Sequence, residues 1–477
     1  MNNLLAYSVL IDAKNKWPEK FAIHDELGSM TFLELFNEVE LLKQQLLNQG
    51  VDTNKAVGVM AKNGRNFIIA IFAVIGCGAT VMPMSHQLKK AEIDTILDEA
   101  GLHFVLDDRS GILPIESITE FQLKNGSFRL GKTAITANFA PHVESPAFMR
   151  FTSGTTGKAK GVIISHQSAI ERIEGANKLL KLGPDDCVIW VLPIAYHFVV
   201  SILLYVRFGT AIAIAKDFLP KNIVDISNRF KGTLLYASPM QIRLLSQIPD
   251  QVEMNSLKAV ISTSAAISPD ICKTFQEKYN IPVSQAYGII EIGLPIVNYE
   301  KSAEHPEAVG FALPDYTVDI LDENNAVLGP NQIGNLAIKG PGMFDAYLNP
   351  AIKREDVLVN GYFLTADYAS KTSDGLIKVE GRQLSMINVS GNKVFPEEVE
   401  GVVESYPGIL HARISGVPHP LMGQIIQAEI VVENGIEIDI EEVLTYCRKR
   451  LSTFKVPQKV LIVEELTMTG SGKIRRV

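Results

Sequence analysis

Cysteine is scarce and scattered in this chain. Only four occur, Cys77, Cys187, Cys272 and Cys447, with neither metal-type nor Cys-x-x-Cys spacing. That excludes a disulfide-built scaffold and suits a reducing cytosol. A surplus of positive charge is also missing. With 45 Lys and Arg against 53 Asp and Glu the net charge is −8, so there is no nucleic-acid footprint, and an anionic substrate must be met by local cations. The opening MNNLLAYSVLIDAKNKWPEK lacks a basic segment followed by an apolar core; the expectation is no signal peptide and a cytoplasmic protein. Long unbroken apolar runs are absent too. Phe67 to Met84 is interrupted by Gly76, Gly78 and Pro83, and Cys187 to Tyr205 contains Pro193 and His197. The first run reads as a buried helix leading into a buried strand rather than a membrane span. There is no internal repeat and no low-complexity linker.

What is present is a strongly hydrophobic chain, 47% apolar over 477 residues, which should divide into two or more domains. Strands and helices alternate from Ala22 to Asp108 and again from Gln167 to Gly288, the pattern of parallel sheets. The runs TVDILDENNAVLG and GNLAIKG (317–329 and 334–340) are short, alternating and separated by turn residues, which suggests antiparallel strands. GLIKVEGR, 375–382, reads as a hairpin, followed by helices at Pro396 to Ser405 and Ile440 to Leu451. The expected fold class is α/β: a large N-terminal domain, 1–383, of two α/β sheet subdomains plus a small β-barrel, and a small mobile α+β C-terminal domain, 384–477.

One run makes little sense as packing. FTSGTTGKAKG, Phe151 to Gly161, alternates small hydroxyl residues (Thr152, Ser153, Thr155, Thr156) with Gly154 and Gly157, so the backbone can approach an anion and turn its N–H groups inward. Lys158 and Lys160 add charge. The glycine spacing is too short for a Walker loop. An extended approach, AFMRF, precedes it, and VIISHQSAI follows as a strand leading through Ser165 into a helix.

This run resembles the signature loop of the adenylate-forming superfamily, which contains acyl-CoA synthetases, peptide-synthetase adenylation domains and luciferases. Ala159 stands where the family has Pro. Further segments resemble the family in order. In QAYGIIEIG, 285–293, the resemblance implies that Tyr287 stacks on adenine, Gly288 borders the substrate and Glu291 holds the metal, while Ile290 replaces a Thr whose hydroxyl lies near the α-phosphate. STSAAIS, 262–268, resembles the segment lining the adenine and acyl pocket, here with Ser264 and Ala265; Thr263 and Ser264 replace two glycines. In LPIAYHF, His197 resembles the His that borders the acyl pocket. No acidic residue stands between Trp190 and Arg207, which disfavours an amino-acid substrate and favours an uncharged tail. YFLTADYA implies a ribose-binding Asp367, with Ala366 in place of Gly. EGRQLSMINVSGNKVFPEEVE implies a nucleotide contact at Arg382, a hinge at Leu384 and a thiol tunnel lined by Gly391. TMTGSGKIRR implies that Lys473 is the catalytic lysine.

The chemistry implied is ATP- and Mg²⁺-dependent. A carboxylate oxygen is a poor leaving group, so the acid is first joined to AMP, which a thiol then displaces. The resemblance points to an acid–thiol ligase for a fatty or aryl acid, with CoA as acceptor. Two alternatives remain open at this point: loading of an acyl carrier protein's phosphopantetheine, and a non-catalytic nucleotide-binding relative. The basic cluster Arg448, Lys449, Arg450, Lys455 and Lys459 reads as a solvated face or as a receiver of CoA phosphates or an acidic carrier.

Overall fold

A computed structural model describes residues 4–110, 115–152, 160–249, 252–382, 385–389, 392–419 and 423–467. Ser153, Gly154, Thr155, Thr156, Gly157, Lys158, Leu384, Gly391 and Lys473 lie outside the described residues, as does the expected boundary at 383–384.

Two nine-stranded sheets dominate. The first is parallel at its centre, where Thr80–Ser85, Ala56–Ala61 and Phe104–Asp107 lie side by side. Between the first two of these strands runs helix Arg65–Gly76, whose residues Phe67 to Ile75 are almost wholly buried. That is the buried helix and strand the broken apolar run predicted. No helix among the described residues is long and apolar enough to cross a membrane. The phosphate-loop strands join this sheet as an antiparallel hairpin, Pro146–Thr152 against Lys160–Ser165. Ser165 then caps helix His166–Leu180 by accepting from the Ser168 N–H, as its position predicts.

The second sheet is also parallel at its centre, through Ala211–Ile214, Cys187–Trp190, Leu234–Ala237, Ala259–Ser262 and Val283–Ile289. Towards its far edge lies strand Phe21–Asp25, which pairs in parallel with Ala211–Ile214 although it belongs to the first α/β stretch of the sequence. The ion pair of Arg65 with Asp25, both nearly buried, ties that edge to the helix of the other sheet. Local alternation cannot reveal such an exchange, because an apolar strand satisfies either edge equally well.

Two further expectations are corrected. The small β-barrel is an open four-stranded antiparallel sheet among the described residues, in the order Thr317–Leu321, Gly334–Lys339, Phe363–Lys371, Ile377–Arg382. Short alternating strands fit an open sheet as well as a barrel, and closure is decided by tilt and stagger, which pattern does not carry. GLIKVEGR is not a hairpin. Its residues Ile377–Arg382 form one strand paired with Phe363–Lys371. Helical segments Ile194–His197 and Leu203–Arg207 are joined by a π-turn over Phe198–Ile202, a feature common beside functional sites.

A last sheet carries strands Ile387–Val389, Asn392–Val394, Ile409–His419, Gly423–Val432 and Lys459–Ile462, with helices Pro396–Glu404 and Ile440–Arg448. Its core, including Val399, Ile414 and Ile430, forms its own cluster. Arg243, in helix Pro239–Ser246 of the large part, reaches across to it. The guanidinium donates to the carbonyls of Glu404, Ile409 and Leu410 at 3.3, 2.6 and 3.0 Å, capping the end of helix Pro396–Glu404. Hydrogen bonds from a charged donor contribute about 1.5–3 kcal/mol each when well formed. An Arg243→Ala variant should therefore speed amide hydrogen exchange across Ile409 to Ala412 by roughly tenfold or more, with the core of the large sheets unaffected. Unchanged exchange there would mean that Arg243 does not hold this contact.

Candidate functional site

The candidate site lies where the hairpin Pro146–Thr152 and Lys160–Ser165, the strand pair Val283–Ile289 and Gly293–Val297, and the four-stranded sheet meet. The turn joining the strand pair carries Ile290 and Glu291. Gly288 admits no side chain here, since a Cβ would lie 2.4 Å from the Gly293 carbonyl oxygen. Register pairs Asp367 with Arg382 on adjacent strands. Asp367 is buried and accepts a short hydrogen bond from the Tyr287 hydroxyl, while Arg382 Nε lies 3.3 Å from its other oxygen. Burial, followed by the Asp367 carboxylate, pushes the Tyr287 phenol far above its ordinary range, so it remains a donor. The three residues that the sequence separates by up to 95 positions thus converge on one carboxylate. A carboxylate held by an OH donor and a cation is oriented to accept vicinal hydroxyls.

The backbone beside Asp367 and at Ser264 has a shared property. Ala366 and Ser264 replace glycines of the family pattern, and both keep the left-handed conformation, with φ of 60° and 78°. The chain shape persists although the residue that makes it easy is gone, at a cost of roughly 1–2 kcal/mol for each. Ser264 is half-buried and Ala265 exposed, so this segment stands at an open edge.

Around Glu291 the charges are closely arranged. Burial raises the Glu291 carboxyl, and the Arg150 and Arg172 cations oppose that rise. Arg172, fully buried in helix His166–Leu180, donates from Nε and Nη2 to the Gly342 carbonyl at 2.9 and 2.6 Å and from Nη1 to the Ile290 carbonyl at 3.1 Å. Burial lowers its guanidinium to about 10. Tyr347 donates to Glu291 Oε1 at 3.4 Å, and Lys160 Nζ sits 4.9 Å from the Tyr347 ring centroid. Lys160 is therefore connected to Glu291 through one aromatic ring.

A narrow cavity adjoins this cluster, walled by Phe148, Arg150, Tyr196, Phe198, Val199 and Ile290 among others. His197 is not part of that wall. It packs edge-on against Trp190, 5.6 Å between centroids, and faces Tyr236 at 6.3 Å; Tyr236 in turn stacks on Trp190 at 5.7 Å. The aromatic cluster is flanked on one side by Tyr205, 5.9 Å from Trp190. Sequence reasoning missed Arg150, Arg172, Tyr196 and Tyr347. Arg150 left a signal, since it is the single charge in the apolar run AFMRF, and Tyr196 stands beside His197 in LPIAYHF; Arg172 and Tyr347 lie in segments with no motif.

In the basic cluster of the C-terminal sheet, Lys455 binds Glu398 at 2.6 Å, Arg448 lies 3.6 Å from Glu441, and Arg450 stacks 3.5 Å over Tyr446. Three of the five cations are thus engaged within their own module.

Comparison with known proteins gives the family and the overall fold. Residues 10–348 match the profile of the AMP-binding enzymes, and residues 398–473 match the AMP-binding enzyme C-terminal domain. The 2-succinylbenzoate–CoA ligase of Bacillus cereus is 26% identical over 468 residues, covering 96% of this chain and 95% of that one. Among solved structures, the o-succinylbenzoate CoA synthetase of Bacillus subtilis bound to its acyl-adenylate superposes with a TM-score of 0.84 at 23% identity, covering 98% and 96% of the two chains. ATP-bound MatB of Rhodopseudomonas palustris gives 0.83 at 23% identity, covering 99% and 97%. Profile, length and fold agree: the chain belongs to the AMP-binding enzyme family and is an ATP-dependent ligase of the adenylate-forming superfamily.

Proposed function

We propose that this chain adenylates an apolar carboxylic acid, aryl or fatty, and passes the acyl group to the thiol of CoA. The observation that carries the reading is the convergence of Tyr287 and Arg382 on Asp367, a ready acceptor for ribose hydroxyls, with Tyr287 on the strand that leads into the Glu291 turn. The acid's tail would enter the region of Phe198, Val199 and the Trp190 aromatic cluster, and among the described residues the wall of the cavity there carries no acidic side chain to pair an ammonium group. CoA is favoured as acceptor because the Bacillus relatives are named as CoA ligases; in the cationic patch that a carrier protein would use, Lys455 and Arg448 face carboxylates and Arg450 stacks on Tyr446.

Within this reading the residues divide the work. The loop 152–161 and Lys160 would bind the pyrophosphate end, Asp367 and Arg382 the ribose, Tyr287 the adenine, and Ser264, Ala265, Gly288 and His197 would shape the acyl and adenine pockets. Lys473 would place its charge at the reacting carboxylate and α-phosphate, and a rotation about Leu384 would then bring Gly391 to the thiol. Among the described residues no three His, Cys, Asp or Glu side chains gather into a metal cage. A single carboxylate nonetheless suits Mg²⁺, which is commonly held by one or two carboxylates together with substrate phosphates. Glu291 would be that ligand, and the ion, when bound, neutralises phosphate charge.

The test is product analysis by mass spectrometry after mixing the protein with ATP, Mg²⁺, CoA and a panel of aryl and fatty acids. Acyl-CoA from at least one acid is the expected result. Acyl transfer only to a phosphopantetheinylated carrier would replace CoA as acceptor, and no adenylate from any acid would overturn the reading.

A further inference from the structure

Ile290 leaves the site short of a hydroxyl donor, and the structure places an unusual donor beside it. Arg150 and Ile290 wall the same narrow cavity. Arg150 lies in strand Pro146–Thr152, which leads directly into the phosphate loop. Its strand neighbours Met149 and Phe151 belong to a separate apolar cluster, and alternation along a strand turns Arg150 to the opposite face.

The guanidinium is fixed rather than free. Nη1 donates to the Tyr196 carbonyl at 2.6 Å, and the group lies 4.8 Å from the centroid of the Tyr196 ring. Nε is buried and has no hydrogen-bond partner among the described residues. A buried N–H left unmet costs about 1–3 kcal/mol, and a buried guanidinium stays charged. The cavity wall around it is otherwise largely apolar, with Phe148, Phe198 and Val199, so the ligand that relieves this group must bring its own oxygen, and an anionic one best.

We propose that Arg150 donates from Nε to an α-phosphate oxygen of the nucleotide, in place of the hydroxyl that Ile290 lacks. The inference rests on the ligase reading. In the adenylation step the acid's carboxylate oxygen forms a bond to the α-phosphorus while the bond from that phosphorus to the bridging oxygen breaks and pyrophosphate leaves with the electron pair. No proton moves to or from Arg150. Its fixed positive charge binds the oxygens on which negative charge grows, which lowers the barrier as well as holding the ground state.

The test compares AMP with adenosine, so it needs no knowledge of the acid. Calorimetric titration of Arg150→Met should show AMP bound roughly tenfold or more weakly than by the wild type, with adenosine unchanged. Adding Ile290→Thr to that variant should recover part of the loss. Arg150→Lys, which keeps the charge and guards against a folding failure, should fall between the two. Ile290→Thr alone should improve AMP binding less than it does beside Arg150→Met, because the two groups share one role. Equal losses for AMP and adenosine would make Arg150 a structural counter-ion of Glu291. Unchanged AMP affinity would place Arg150 away from the α-phosphate. Either result overturns the inference while leaving the ligase reading intact. A wild-type protein that binds neither AMP nor ATP would overturn the ligase reading, and this inference with it.

Discussion

Replacing the terminal lysine, Lys473→Ala, should slow adenylate formation by about 10²–10³-fold, the usual loss when one preorganised donor to a developing charge is removed. Thioester formation from a supplied acyl-adenylate should remain near the wild-type rate. The asymmetry follows from charge: attack on the α-phosphate gathers negative charge on its oxygens, whereas the later attack of a thiol starts from an adenylate already made. Lysine suits the first step because a point charge on a flexible stem can approach and withdraw. The measurement is acid-dependent exchange of pyrophosphate into ATP beside a single-turnover assay with synthetic acyl-adenylate and CoA. Equal losses in both would show that Lys473 serves the fold or both steps rather than adenylation in particular. No loss in either would place Lys473 outside both half-reactions.

The second large effect is on stability. Arg172→Met should destabilise the protein by about 3–5 kcal/mol, the range for removing one partner from a buried charged network. Three hydrogen bonds to the Gly342 and Ile290 carbonyls disappear, and the half-buried Glu291 carboxyl loses one of the two cations that oppose its rise. Methionine fills much of the volume, so the loss is electrostatic rather than a cavity. A fall in melting temperature of roughly 3–5 °C is expected for a chain of this size. Because the Ile290 carbonyl sits in the turn that carries Glu291, adenylation should fall further than stability alone explains. Arg172→Lys, which retains charge but not the planar fork, should recover only part of either loss. A Met variant as stable as the wild type would show that water replaces the guanidinium in this interior.

The order and spacing of the motifs make most of the candidate nucleotide site legible in the amino-acid sequence. Tyr287, Asp367 and Arg382 are recognisable because each sits in a short segment whose neighbours also fit the family pattern, and the fold brings all three together. Arg172 and Tyr347 are not recognisable. Each acts through a helix face or strand pairing formed by residues far away in sequence, Arg172 on Gly342 and Tyr347 on Glu291, and neither is surrounded by a motif. The glycine replacements divide the same way. Their residue types suggest an altered pocket, yet Ala366 and Ser264 keep the left-handed turn, because neighbouring strands hold a backbone shape that the side chain itself disfavours.

The sequence alone determined the alternation of strands and helices, the strands Pro146–Thr152 and Lys160–Ser165 on either side of the Gly- and Thr-rich run, the buried rather than membrane-spanning character of Phe67 to Met84, and the reaction class. Those properties depend on local periodicity and on which functional groups stand at short spacing. Tertiary structure alone decided that Phe21–Asp25 joins the second sheet, that the Thr317–Arg382 strands stay open as a sheet, and that Arg150 meets Ile290 at one cavity wall. The reason is the same in each case: an apolar strand or a lone buried charge can be satisfied by many partners, and only the packing of distant segments selects one.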